Sequence, residues 1–294
     1  MRIALIGATG QLGTDLQKIL PDDGSEVMPL GHQKIELSSD ESVEACLSDV
    51  APDLVMNCAA YNLVDKAEEE PVTAYEVNSL GPRRLARWCG TNDVTLVHFS
   101  SDYVYGLDAT RDEPYSETDA PGPQSAYAAS KLQGEYYVRS LCPKHFVLRT
   151  CGLYGLAAIQ GAGKGNFVET MIKLGNKLDR LAVVHDQNCT PTSTADLAAA
   201  TVELARTEQY GLYHVTNSGA TTWHGLAAEI FRREEISVEL APITSAEFGA
   251  AAPRPPYSVL STAKIEAAIG RPMPAWQDAL AEYLKARQQL VESE

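Results

Sequence analysis

Along the first half of the chain, short apolar runs alternate with longer stretches in which apolar positions recur every three to four residues. The runs at 2–6 (Arg-Ile-Ala-Leu-Ile), 26–30, 53–57, 95–100 and 145–150 predict strands. The stretches at 11–20, 40–49, 72–90 and 126–140 predict helices, the third with Pro71 placed to serve its first turn. Strands that alternate with helices mean βαβ units, hence a parallel sheet covered on both faces and joined by right-handed crossovers. The expected fold class is α/β: a doubly wound, Rossmann-like sheet forming a dinucleotide-binding domain over residues 1–150.

After Thr150 the alternation becomes irregular. A helix is expected at 166–174, a strand at 181–184, and helices at 194–205, 222–233 and 275–288. A Gly-rich run occupies 161–165, and Pro253-Arg-Pro-Pro256 marks a non-helical connection. Residues 151–294 are expected to form a smaller, mainly substrate-binding lobe, interleaved with the first domain and not folding alone. The acidic end, 292–294, reads as a frayed tail.

Composition narrows the partners. Among 294 residues, 39 Asp and Glu against 24 Lys and Arg give a formal charge of −15. That balance argues against nucleic acid or an anionic membrane surface, both of which need clustered cations. No apolar run reaches the roughly 18 to 20 residues that span a bilayer. No leader-like segment precedes the first strand, and the six cysteines show neither CxxC nor metal-ligand spacing. Cys46 and Cys58 read as small core residues, and a reducing cytoplasm is the expected setting.

Chemistry first shows in the turn after the opening strand, Gly7-Ala-Thr-Gly10-Gln-Leu-Gly13. Glycine there permits a tight turn, close approach of backbone to a pyrophosphate, and close packing of helix on strand. The helix that follows offers amide donors and the positive end of its dipole to phosphates. A ligandless βα turn would look similar, but the placement between first strand and first helix favours a dinucleotide. After the second strand runs Leu30-Gly-His-Gln-Lys34, with no acid at its start to accept from a ribose 2′-hydroxyl. His32 and Lys34 in that segment lean towards NADPH over NADH.

Tyr127 and Lys131 stand four apart in a helical stretch, which puts them on one face. An ammonium near a phenol is expected to lower its pKa from about 10, making the tyrosine an acid–base group near neutrality. Ser100-Ser101-Asp102-Tyr103 follows the strand at 95–100, where ligands of a doubly wound sheet bind and where a hydroxyl can polarise a carbonyl. Each feature alone has a structural reading: a surface Tyr–Lys pair, a turn cap, a plain glycine turn. Their joint occurrence in this order points to a reductase. His98, inside an apolar strand, reads as a satisfied core histidine, and Trp223-His224 at a helix start as structural.

With these motifs the chain resembles the extended short-chain dehydrogenase/reductases and, within them, the dTDP-4-dehydrorhamnose reductase family. The resemblance also rests on Asn57-Cys-Ala-Ala60, Asn78, Gly134-Glu135, Leu148-Arg-Thr150, Gly165-Asn-Phe167, Asp186-Gln187, Gly211-Leu-Tyr-His214 and Arg254-Pro255 with Ser258. It implies hydride transfer from NAD(P)H to C4 of a 4-keto-6-deoxy sugar nucleotide. Tyr127 would be the proton donor, Lys131 would hold the nicotinamide ribose, and Ser101 would polarise the keto group. Gly7, Gly10, Gln11, Leu12 and Gly13 would contact the cofactor, Ala59 and Ala60 would pass beneath its pyrophosphate, and Asp102 would touch the sugar. The resemblance also admits a homodimer. Some relatives pair through magnesium; no acidic cluster here has that spacing, so magnesium stays open and no metal site is assigned. One departure stands out: where the family often carries an aromatic residue after the fifth strand, the stretch here is Arg149-Thr-Cys-Gly152-Leu-Tyr154. Two other readings remain. A sugar-nucleotide dehydratase or epimerase shares the fold, although Asp102 is followed by Tyr103 rather than by the Glu that water elimination needs. A non-catalytic NADP-binding subunit that regulates a partner enzyme is the other.

Overall fold

A computed structural model describes residues 1–160 and 165–292. The Gly-rich run noted above therefore falls, except for Gly165, outside the described residues, as does the acidic end beyond Glu292. The core is a six-stranded, all-parallel sheet of β1 (Arg2–Ile6), β2 (Glu26–Leu30), β3 (Leu54–Asn57), β4 (Thr95–Ser101), β5 (His145–Thr150) and a later strand. That later strand is Gly211–His214, which pairs with β5. It becomes β7 once the outlying Arg180–Val184, which pairs with Glu239–Ile243 (β8), is counted as β6. The order across the sheet is β7-β5-β4-β3-β1-β2. β3 and β4 are buried almost throughout because both sheet faces are covered, so they read as continuous apolar runs rather than as alternation.

One face packs on α1 (Gln11–Ile19), on α6 (Thr194–Ala205) and on α8 (Ala263–Ile269), with Leu5, Leu16, Phe146, Leu197 and Ile265 in a single apolar cluster. The other packs on α2 (Asp40–Val50), on α3 and on α4 (Ala126–Leu141). α3 is a composite: Pro71–Tyr75 passes through a π-helical turn, Glu76–Leu80, into Gly81–Thr91. The remaining helices, α5 (Phe167–Gly175), α7 (Trp223–Arg233) and α9 (Trp276–Glu292), gather with β6 around Ile172, Ile230, Phe231 and Leu280 as a second, smaller core.

The predicted strands all form, with one end shifted by a residue in each of β3, β4 and β6. β7 and β8 were not foreseen as strands. β7 has four residues and opens on Gly211 at a positive φ of +137°, and β8 carries a proline that suits only an edge. The turn from α6 back to β7 also returns the chain to the first sheet, so the second half does not lie apart from it.

Candidate active site

The sheet reverses its winding between β1 and β3, and their carboxyl ends open onto a cleft. Gly7 turns the chain there with φ +74°, and a Cβ on it would come 2.7 Å from the Ala59 amide nitrogen. A Cβ on Gly13 would run into the Gly7 carbonyl oxygen, so only glycine lets α1 sit this close to the turn. Gly10 is the N-cap of α1 and has no side chain to cap the first turn. The cradle suits a diphosphate, with backbone amides and the helix dipole aimed where its charge would lie.

Two adjoining cavities make the cleft. One, of about 360 Å³, is lined by Gly7, Gly10, Gln11, Leu30, His32, Glu36, Ala59 and Ala60. The other, of about 380 Å³, is lined by Gly10, Gln11, Leu12, Gly13, Ala60, Ser101, Asp102, Tyr127 and Lys131. The structure thus brings the glycine-turn residues, Ala59, Ala60, Ser101, Asp102, Tyr127 and Lys131 onto two cavities that share Gly10, Gln11 and Ala60. Two details differ from expectation. The Gln11 carboxamide accepts from Gly155 N (2.8 Å) and Asn166 Nδ2 (2.9 Å), so it braces the loops of the second half while its backbone serves the turn. Lys34 donates to the Pro29 carbonyl (3.3 Å) and does not line the cleft; His32 does, opposite Glu36, whose carboxylate is held below its usual range by Ser38.

Tyr127 and Lys131 are positioned by α4, whose N-cap Ser125 accepts from Ala128 N (3.2 Å), an interaction worth about 1 kcal/mol. Contrary to the expected effect of a neighbouring ammonium, the Tyr127 phenol is pushed up to about 12. Burial is the main cause, with Asp102 adding to it and a hydrogen bond from the Ser101 side chain opposing it. The Lys131 ammonium donates to the Phe99 carbonyl (2.6 Å). Burial brings Lys131 itself down to about 8, while Glu135, one turn further along α4, favours its charge. Glu135 is fully buried, holds Arg149 through two bonds (2.9 and 2.6 Å) and accepts from Ser100. Arg149 reaches on to Tyr105 (2.6 Å), which meets His214 Nε2 at 3.0 Å.

Asp102 is 2% exposed and accepts from Ser258 Oγ (2.6 Å) and Ser101 Oγ (3.2 Å), with the Cys151 thiol as a further partner. Burial raises its carboxyl to about 6. The expectation of a satisfied His98 holds on one side only: Nδ1 meets Asn57 Nδ2 at 3.2 Å, but Nε2 is buried with no partner. The resemblance rests in part on Arg254 and Ser258, but spacing gave these residues, and Cys151, no role at the site. Glu135, four residues after Lys131 on the same helix, carried a signal that a charge pair there would be felt. Arg254 lines a third cavity, of about 490 Å³, beside Tyr103, Phe167, Gln187 and Trp223. It is clamped to Asp65 by two bonds of 2.7 Å, which hold that carboxyl at about 2. Trp223, read from the sequence as structural, borders both this cavity and the one that holds Tyr127. All six cysteines are free thiols, and among the described residues no three His, Cys, Asp or Glu side chains converge as metal ligands.

Comparison with known proteins adds to this geometry. Residues 1–289 match the family described as RmlD substrate binding domain. A dTDP-4-dehydrorhamnose reductase of Streptomyces griseus is 38% identical over 97% of this chain and 93% of its own length. A crystal structure of a dTDP-4-dehydrorhamnose reductase from Clostridium acetobutylicum superposes with a TM-score of 0.92 at 40% identity, covering 98% of this chain and all of that one. Another, from Bacillus anthracis and in complex with NADP, gives 0.91 at 36% identity, covering 97% and 99%.

Proposed function

Because the chain belongs to the RmlD substrate-binding-domain family, we propose that it reduces the C4 keto group of dTDP-4-dehydrorhamnose with NADPH, yielding dTDP-L-rhamnose. The observation that carries this reading is the continuity of the cleft: the glycine cradle and Ser101, Tyr127 and Lys131 line one cavity. NADP(H) is favoured over NAD(H) by the NADP-bound relative and by the lack of an acid at the very end of β2.

A reduced nicotinamide bound in the cleft supplies the hydride for C4. The chain's own residues handle the oxygen. The Ser101 hydroxyl donates to the keto oxygen and favours the charge that grows on it. Tyr127, protonated at neutral pH as an ordinary phenol is and held so more firmly by burial, gives its proton to that oxygen, since an alkoxide is a stronger base than a phenolate. Lys131, fixed at the Phe99 carbonyl, offers its remaining N–H groups to the cofactor's ribose. Gly10 to Gly13 take the diphosphate of the cofactor, and Arg254 is placed to attract that of the sugar nucleotide. A dehydratase would need a second carboxyl group beside Asp102; Tyr103 stands there, half-buried and with its phenol well above its usual pKa.

The test is the purified protein with NADPH and dTDP-4-dehydrorhamnose, followed by loss of reduced-nicotinamide absorbance and by identification of the hexose formed. Stoichiometric oxidation with dTDP-rhamnose as product is the expected result. NADPH binding without turnover of this or any other 4-keto-6-deoxy sugar nucleotide would instead favour the regulatory subunit.

A further inference from the structure

Gly152 leaves this chain without a side chain at the position after β5 where an aromatic ring would flank the substrate. Its φ is +54°, and a Cβ built on it would lie 3.3 Å from the Trp223 ring atom Cη2 and 3.3 Å from the Pro191 Cα. A larger residue would therefore crowd both Pro191 and an indole that arrives from α7 in the second half of the chain, besides being strained at this φ. We propose that Trp223 is the apolar platform on which the 6-deoxy sugar ring packs, and that Gly152 is small because that indole stands before it.

The indole is built into place. Its Nε1 donates to Gln187 Oε1 (3.1 Å), Gln187 Nε2 donates to Ser245 Oγ (2.8 Å), and Ser245 is fixed in turn by Asp186 (2.6 Å). Phe167 supports the ring at a centroid distance of 4.9 Å. Thr222 caps the helix whose first residue is Trp223, accepting from Gly225 N (3.0 Å), so the ring's origin is anchored as well. Trp223 is half-buried and lines both the cavity of Tyr127 and the cavity of Arg254. A ligand whose keto carbon meets Tyr127 and whose diphosphate meets Arg254 must cross it. A 6-deoxyhexose presents a methyl group and ring C–H bonds, the kind of surface that an indole face removes from water.

This inference rests on the proposed sugar-nucleotide reading, so its experiment separates the two. Wild type, Trp223→Ala and Trp223→Phe are compared for steady-state KM and kcat towards the 4-keto sugar nucleotide, for NADPH affinity by fluorescence, and for calorimetric binding of dTDP-L-rhamnose. Trp223→Ala should raise KM and weaken product binding by about tenfold, as expected for losing an apolar contact of some tens of Å², with NADPH affinity unchanged. Trp223→Phe should recover most of the loss. An unchanged KM in Trp223→Ala, or an equal fall in NADPH affinity, overturns the inference while leaving the reductase reading in place. Should the wild type not turn over the substrate, the calorimetric comparison still decides the matter. Weaker product binding in Trp223→Ala alone would uphold the platform and sink only the reductase reading, and equal or absent binding by both proteins would sink the platform.

Discussion

Tyr127 holds its proton more firmly than an ordinary phenol because the cleft penalises its phenolate, and that proton is still available to an alkoxide, a much stronger base. Removing the hydroxyl removes the donor and leaves the cradle intact. Tyr127→Phe should therefore lower kcat by roughly 10²-fold or more with little change in NADPH affinity; equal turnover by the two proteins would refute the assignment. Burial shifts Asp102 in the same direction, but here into the working pH range. Its folded pKa of about 6 lies above its ordinary 3.8, so the folded chain holds this proton more tightly than the unfolded chain does. The contribution to stability is fully present below the ordinary value and is lost as pH rises through about 6. Above that pH the buried carboxylate costs up to about 3 kcal/mol. Asp102→Asn should thus melt higher than wild type at pH 8, by several degrees, with the gap narrowing as pH falls through 6, while its activity drops. A gap independent of pH would show that another property of the substitution is responsible. Residue-level reasoning from sequence located Tyr127 and Lys131 correctly on one cleft but misjudged their coupling. Helical spacing says that two side chains share a face; it does not say how deeply burial will raise the phenol.

At the scale of elements, the cleft depends on how closely α1 can approach the turn after β1. Any Cβ at residue 13 meets the carbonyl oxygen of Gly7, which is backbone and cannot step aside. Gly13→Val should push α1 outwards, lower the melting temperature and weaken NADPH binding, read by fluorescence titration. Unchanged affinity would count against the cradle. This part was legible in the sequence because local spacing encodes it: the turn, the four-residue interval of Tyr127 and Lys131, and the apolar runs of β1 to β5 are all short-range patterns. The parts that escaped have causes that are not local. β7 is too short to show a period, and it becomes a strand because β5 offers an edge to it. Ser258 reaches Asp102 across 156 residues, and the Trp223 ring at the start of α7 comes up against Gly152 in the loop after β5. The π-helical turn at Glu76–Leu80 also lies at a close contact: Gly134 of α4 sits against the carbonyl of Asn78 with no room for a side chain.

Across the whole molecule, the sheet that carries the cradle is completed by the second half of the chain. β7, α6 and α8 come from beyond residue 150, yet Leu197, Ala198, Val202, Tyr213, Val215 and Ile265 share one buried cluster with Leu5, Leu12, Leu16 and Phe146. Polar ties run the same way. The Gln11 carboxamide accepts from Gly155 and Asn166, and the buried Asp15 accepts from Thr194 Oγ1 at 2.5 Å. A fragment ending at residue 150 would expose the apolar face of α1 and the free edge of β5. Each large side chain returned to water costs about 1.5–3 kcal/mol, against a total stability of about 5–15 kcal/mol for an ordinary domain. Several such losses exceed what the fragment can hold, and its Asp15 would be left beside uncovered apolar surface without Thr194. Residues 1–150 expressed alone should consequently show no cooperative thermal transition by circular dichroism and no NADPH binding, while the full chain melts in one step. A fragment that melts cooperatively and binds NADPH would show instead that the first half is a domain in its own right, with the rest of the chain laid against a finished sheet.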